Sequence, residues 1–229
     1  MACENGGDYF DEDGNCVINS ENNIEVLDFM LEMLEDGTAI TTPGGGFHTE
    51  EYYGFMSQGG AASMLECFWY LGRFTDYMPE LSGKIVAAAP PVWEEGNKYP
   101  VFGGTATSIT TQCENQDLAK RFLAEAKISK EGAAKIWQVL GFDPLRWDIW
   151  GTEATKQQNK FTDYFGENIF DVVIGMKDNF FTTNITTSSQ YSLANSLVGS
   201  NVLFKVLSEQ SETPQQALDA AAQEIEDAK

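Results

Sequence analysis

Residues 103–137 read GGTATSITTQCENQDLAKRFLAEAKISKEGAAKIW. The stretch opens on a double glycine, and TATSIT after it has the β-branched content of a strand. Asn115 then stands where a helix cap belongs. Leu118, Ala119, Phe122, Leu123 and Ala126 recur at the spacing of one helical face. Ser129 opens a second helix that runs to Leu140 and stops at Gly141. Trp137 falls on the apolar face of that helix with Ala133, Ala134, Ile136 and Leu140, which makes it a core residue. Strand, helix, helix is an α/β reading, with more helix than strand.

The same reading extends both ways along the chain. Upstream, DYFDEDGNCVI (8–18) reads as an aromatic run, an Asp-Gly turn and a short strand. Ser20 or Asn22 caps a helix over 22–35 whose stripe is Ile24, Leu27, Leu31 and Leu34. TTPGGG (41–46) is a loop, 49–57 a short helix, and AASMLECFWYL (61–71) a buried strand entering a helix. KIVAAAPPV (84–92) is a strand ended by two prolines. Downstream, GFDPLRWDIWG (141–151) is irregular and aromatic, and 188–208 is helical. Thr213-Pro214-Gln215-Gln216 places a cap, a proline at the first position and a glutamine at the third, so a last helix spans 214–227.

Composition removes several functions. The 229 residues carry 35 Asp+Glu against 14 Lys+Arg, a net charge of −21. A surface this acidic repels phosphate backbones, so nucleic acid is not an expected partner. The longest uncharged run, 179–204, is full of Thr, Ser, Asn and Gln, unlike the apolar stretch of about 20 residues that a membrane span needs. Met1-Ala2-Cys3-Glu4 has neither the basic nor the apolar region of a signal peptide. Cys3, Cys16, Cys67 and Cys113 form no C-x-x-C pair, so free thiols are expected rather than a zinc or redox motif.

Motifs for chemistry are weak. His48 is the single histidine; it lies beside a glycine-rich loop without G-x-S-x-G and reads as a surface residue. Asp11-Glu12-Asp13-Gly14 fails as a calcium loop, because the outer positions fall on Tyr9 and Ser20. No nucleotide loop and no metal set is present. Glu66 stands out, set between Met64-Leu65 and Cys67-Phe68-Trp69. It could be an acid of raised pKa, an acceptor for sugar hydroxyls or a satisfied structural carboxylate. Trp69, Trp93, Trp147 and Trp150 lie beside glycine, proline or element ends, where an indole face can cover the C–H face of a sugar.

The order of these segments, from DYFDEDGNCVINS through GFMSQGGAASMLECFWYL, AAAPPVW and FGGTATSI to ENQDLAKRFLAEAKISKEGAAKIW, resembles the second half of an extracellular solute-binding protein of an ABC sugar importer. That family includes maltose-binding protein. GFDPLRWDIW and FTDYFG are similar to its arabinose and arabino-oligosaccharide branch. The resemblance implies a periplasmic-binding-protein-like fold of two hinged lobes, here incomplete, with most of the first lobe missing. Residues 1–101 would be part of the second lobe, 102–150 a return to the first, and 151–229 the rest of the second. It implies a carbohydrate ligand, ABC permease subunits as partners and no cofactor. The parent protein would be lipid-anchored at the cell surface or periplasmic. Carried over by position, the sugar-binding residues would be Trp69, Glu66, Tyr70, Gly103, Gly104, Arg146, Trp147 and Asp148, with a further aromatic wall near 191–195. The competing expectations are a fragment of a glycoside hydrolase using Glu66, and a structural remnant that binds nothing.

Overall fold

The computed structural model describes residues 1–93, 99–101 and 103–228. Its elements, in chain order, are α1 (Glu21–Glu35), α2 (Glu50–Ser57), α3 (Leu71–Tyr77), β1 (Tyr99–Val101), α4 (Gln116–Leu123), α5 (Lys130–Lys135), α6 (Glu153–Lys156), α7 (Lys160–Phe165), α8 (Ile169–Met176), β2 (Phe180–Thr182), α9 (Tyr191–Leu197) and α10 (Pro214–Asp227). Helices dominate, as the capping and periodicity imply. No helix among the described residues is long and apolar enough to cross a membrane.

The contacts divide the chain into two compact units. One comprises Met1–Gly45, Pro91–Gly103 and Asn179–Lys229; the other comprises Gly46–Pro90 and Gly104–Asp178. Residues 46–90 and 151–178 therefore cluster with 104–150.

The first unit has a largely aliphatic core. Leu27 of α1, Leu197 of α9, Val202 and Val206 beyond it, and Leu218 and Ile225 of α10 close around Phe10 and Ile18. Each such side chain removed from water contributes about 1.5–3 kcal/mol. The register of α10 follows from its first turn. The Gln216 N–H donates to Thr213 Oγ1 at 3.3 Å, and the Thr213 N–H donates to Gln216 Oε1 at 3.1 Å. This reciprocal cap satisfies two donors that a helix start otherwise leaves open. The strand expected within 8–18 reduces to one antiparallel bridge, Phe10 to Cys16. That segment is held instead by Asn23, whose amide donates to the carbonyls of Asp8, Val17 and Ile18 at 2.8, 3.2 and 3.0 Å.

The sheet is smaller than the sequence suggests. Among the described residues it is β1 and β2 alone, parallel, with Tyr99 opposite Phe180 and Val101 opposite Thr182. The strands expected at 84–92 and 105–110 are not formed, and 61–67 has no regular structure before the 3₁₀ turn Phe68–Tyr70. Val86 is 81% exposed. A β-branched run favours extended backbone, but a strand without a partner has no ladder to stabilise it.

The second unit has an aromatic core. Tyr70, Phe74, Trp137, Phe161, Phe165 and Phe170 are all buried in it. Trp137 is completely buried, as its helix-face spacing predicts, and its indole N–H donates to the Thr155 carbonyl at 3.0 Å. The ring thus gains its hydrophobic burial without an orphaned donor. Asn115 and Ser129 cap α4 and α5 as expected, accepting from the Leu118 and Gly132 N–H groups. Both helices continue in wider turns, Ala124–Ile128 and Ile136–Leu140. Gly141 ends the second one at φ 72°, and a Cβ there would sit 2.5 Å from the Phe161 ring, so only glycine fits. On α4 the apolar face is not buried: Leu118 and Phe122 are exposed.

Candidate functional site

The segment 61–71 leads into α3, and its aromatic triplet splits by burial. Phe68 faces inward and stacks on Trp137 at 5.7 Å. Tyr70 is 1% exposed, whereas Trp69 between them is 38% exposed. The 3₁₀ turn buries Tyr70, packs the partly buried Phe68 against the core and leaves the intervening indole at the surface.

The turn brings Trp69 to His48. The two ring centroids lie 5.8 Å apart, and His48 also stacks on Tyr70 at 5.5 Å and 26°. Phe47 completes the group, 4.3 Å from His48 and 6.3 Å from Tyr70. Three exposed rings, Phe47, His48 and Trp69, therefore stand over one buried ring. Two hydrogen bonds hold the loop end. The Tyr70 hydroxyl donates to the Phe47 carbonyl at 2.5 Å, and the Thr49 hydroxyl donates to the Gly46 carbonyl at 3.2 Å. The Thr49 oxygen also caps α2 by accepting the Tyr52 N–H. Burial pushes the Tyr70 phenol well above its ordinary value, so it remains a hydrogen-bond donor.

Glu66 stands three residues before Trp69 in the same segment. It is half-buried and accepts the Cys67 N–H at 3.2 Å. Desolvation raises its pKa, and its charge is felt by Tyr52 and Tyr70. Exposed ring faces beside a carboxylate and an imidazole offer what a sugar requires: apolar cover for its C–H face and acceptors for its hydroxyls. His48 and Phe47 were not legible as members of this group. Their partners come from the next segment of the chain, and the available local signal was the cap Thr49 directly behind them.

The other expected residues are placed differently. Arg146 and Asp148 satisfy each other. The guanidinium Nε and Nη2 donate to the two Asp148 oxygens, each at 2.8 Å, and Nη1 donates to the Ile128 carbonyl at 3.1 Å. This pairing, with Lys130 3.6 Å away, holds the Asp148 carboxyl down at about 2. Trp147 is half exposed, with the Lys177 ammonium 5.0 Å from its ring and Trp150 at 5.8 Å. Trp150 turns inward against Phe170, its N–H donated to the Pro144 carbonyl. Trp93 meets the edge of Phe29. Gly103 and Gly104 are both exposed, the first at φ 140°, and the boundary between the compact units falls between them. Tyr191 packs against the core of the first unit. Among the described residues no group of three or more His, Cys, Asp or Glu is placed to hold a metal.

Comparison with known proteins gives this arrangement its setting. An arabinooligosaccharide-binding protein of Bacillus subtilis is 48% identical over 98% of the chain, and one of Halalkalibacterium halodurans is 44% identical over 99%. The chain spans about half the length of these curated relatives, 52% and 51%. Both relatives are binding proteins rather than enzymes, so a hydrolase built on Glu66 finds no support in them. A maltose-bound MalE3 of T. maritima shares the fold, with TM-score 0.71 and 19% identity over the whole chain and 56% of its own. The model of the bacterial extracellular solute-binding proteins matches residues 2–132, more than half of the sequence. The chain belongs to the family of bacterial extracellular solute-binding proteins.

Proposed function

We propose that this chain carries part of the ligand-binding surface of a protein that captures arabinose-containing oligosaccharides outside the cell and delivers them to the permease subunits of an ABC importer. The observation that carries the reading is the 48% and 44% identity to two arabinooligosaccharide-binding proteins over nearly the whole chain. The exposed group of Phe47, His48 and Trp69 beside Glu66 supplies chemistry that agrees with it. Gly103, Gly104 and Trp147 belong to the proposed site by position. Arg146 and Asp148 enter the same proposal by position, although their charged groups pair with each other. The lobe assignment (1–101 and 151–229 in the second lobe, 102–150 in the first) concerns the architecture of the longer relatives and is part of the same proposal, as are the lipid anchor and the chain's place in their C-terminal portion.

In a two-lobed binder the ligand is shared and closure adds contacts from the opposite wall. One wall alone loses those contacts and binds weakly, with a Kd on the order of 1 mM, about −4 kcal/mol. The test is an NMR titration of the chain with arabinooligosaccharides, using malto-oligosaccharides as the contrast. Weak binding with preference for the arabinose series is the expected result. No response to any arabinose sugar, or equal response to both series, overturns the proposal. Submicromolar binding would instead show a self-sufficient site and overturn the shared-wall argument.

A further inference from the structure

The aromatic group is wider than one sugar-stacking residue needs. His48 lies between Phe47 and Trp69, with centroid separations of 4.3 and 5.8 Å, so the exposed ring surface continues past the indole across two more rings. The planes tilt from one ring to the next, by 49° between Phe47 and His48 and by 36° between His48 and Trp69. A tilted row suits a ligand whose successive units turn relative to one another better than one flat ring.

The row is also fixed in place. Phe47 is 43% exposed and His48 is exposed, yet the backbone that bears them is clamped. The Tyr70 hydroxyl takes the Phe47 carbonyl and the Thr49 hydroxyl takes the Gly46 carbonyl. A clamped surface loses little entropy when a ligand arrives, which is the condition under which a few ring contacts yield measurable affinity. If Phe47 and His48 served only to fill space, folding would gain most by burying them. Here Tyr70 fills the space and the other three rings stay exposed. The imidazole adds a polar edge within the row, able to donate to or accept from a hydroxyl.

We propose that Phe47 and His48 form a second subsite beside Trp69, so that this surface holds two adjoining units of an arabinose-containing chain rather than one. The inference rests on the carbohydrate reading above. Its consequence is selectivity for length: the second unit gains affinity through Phe47 and His48, while the first depends on Trp69.

The test titrates the chain with arabinose, arabinobiose and arabinotriose, following binding by saturation-transfer NMR, which reads weak complexes. The wild-type chain should bind the disaccharide several-fold more tightly than arabinose, with little further gain for the trisaccharide. In His48→Ala and in Phe47→Ala the ratio of disaccharide to monosaccharide affinity should fall to near one. His48→Phe keeps a ring in the row and should retain most of the ratio, provided circular dichroism shows each variant folded. Trp69→Ala should weaken all three sugars together. A wild-type ratio near one, or a ratio that survives both alanine variants, overturns the second subsite and leaves the carbohydrate reading intact. Failure of every arabinose sugar to bind the wild-type chain overturns both.

Discussion

Two aromatic stretches of the second unit, 47–48 with 69–70 and 146–150, look alike in sequence and differ in what they leave available. Each carries a tryptophan; Trp69, Tyr70, Arg146, Trp147 and Asp148 were expected in the site by position, whereas Phe47 and His48 were not. In the first, Tyr70 takes over the structural work and Trp69, His48 and Glu66 keep faces or edges toward solvent. In the second, Arg146 and Asp148 form two mutual hydrogen bonds, a third goes to the Ile128 carbonyl, and Lys177 lies over Trp147. Polar groups satisfied inside the protein have little left for a ligand. The residue types that suggest a binding site are therefore informative only once their internal partners are known.

Both stretches depend on one residue, which makes it the strongest test of the contrast. Phe68, next to Trp69, stacks on Trp137, and Trp150 reaches Trp137 through Phe170, 4.9 Å from it. Trp137→Ala should cost about 3–5 kcal/mol of stability and disturb both surfaces together, measured by denaturant unfolding. A cost near 1 kcal/mol would mean that the aromatic core is not continuous. The next effect separates the stretches. Trp69→Ala should weaken arabinooligosaccharide binding by about 1–3 kcal/mol, the scale of an interface anchor, and change stability less than Trp137→Ala does. Strong destabilisation with unchanged affinity in the folded molecules would return Trp69 to the core and erase the distinction.

Helices were legible where a cap fixes them. Asn115, Ser129 and Thr213 each accept the backbone N–H that their position in the sequence foretells. Strands were not. The pairing of Tyr99 with Phe180 joins distant segments, and β-branched runs such as 105–110 carry no information on whether a partner exists. The same division runs through the site. Trp69 is visible as an aromatic at an element end, while His48 acquires its meaning only from rings that folding brings to it. The Arg146–Asp148 pair was within reach of the sequence as opposite charges two residues apart, and the 3₁₀ turn Trp147–Ile149 that starts between them brings the two groups into contact.

A smaller effect tests how the first stretch is held. Tyr70→Phe keeps the buried ring and removes the donor to the Phe47 carbonyl. One hydrogen bond is worth about 0.5–1.5 kcal/mol, so the melting point should fall modestly. Affinity for the disaccharide should drop more than affinity for arabinose, because the loop that carries Phe47 and His48 is released. Equal loss for both sugars would show that the clamp does not act through that loop.

The smallest effect belongs to the second stretch. Asp148 is held at about 2 chiefly by the hydrogen bonds from Arg146. A carboxylate whose folded pKa lies below its ordinary value of about 4 contributes stability that is present above that value and lost as pH falls toward the folded one. The pair is solvent-exposed, so its contribution is small and screened by salt. Asp148→Asn should leave the melting point nearly unchanged at pH 7 and remove a slight acid-dependent slope between about pH 4 and pH 2. Arabinooligosaccharide affinity should not follow this change if Asp148 is occupied by Arg146 rather than by the ligand. A loss of affinity in Asp148→Asn as large as that in Trp69→Ala would mean that the ligand competes for the pair, and the two stretches would then act as one surface.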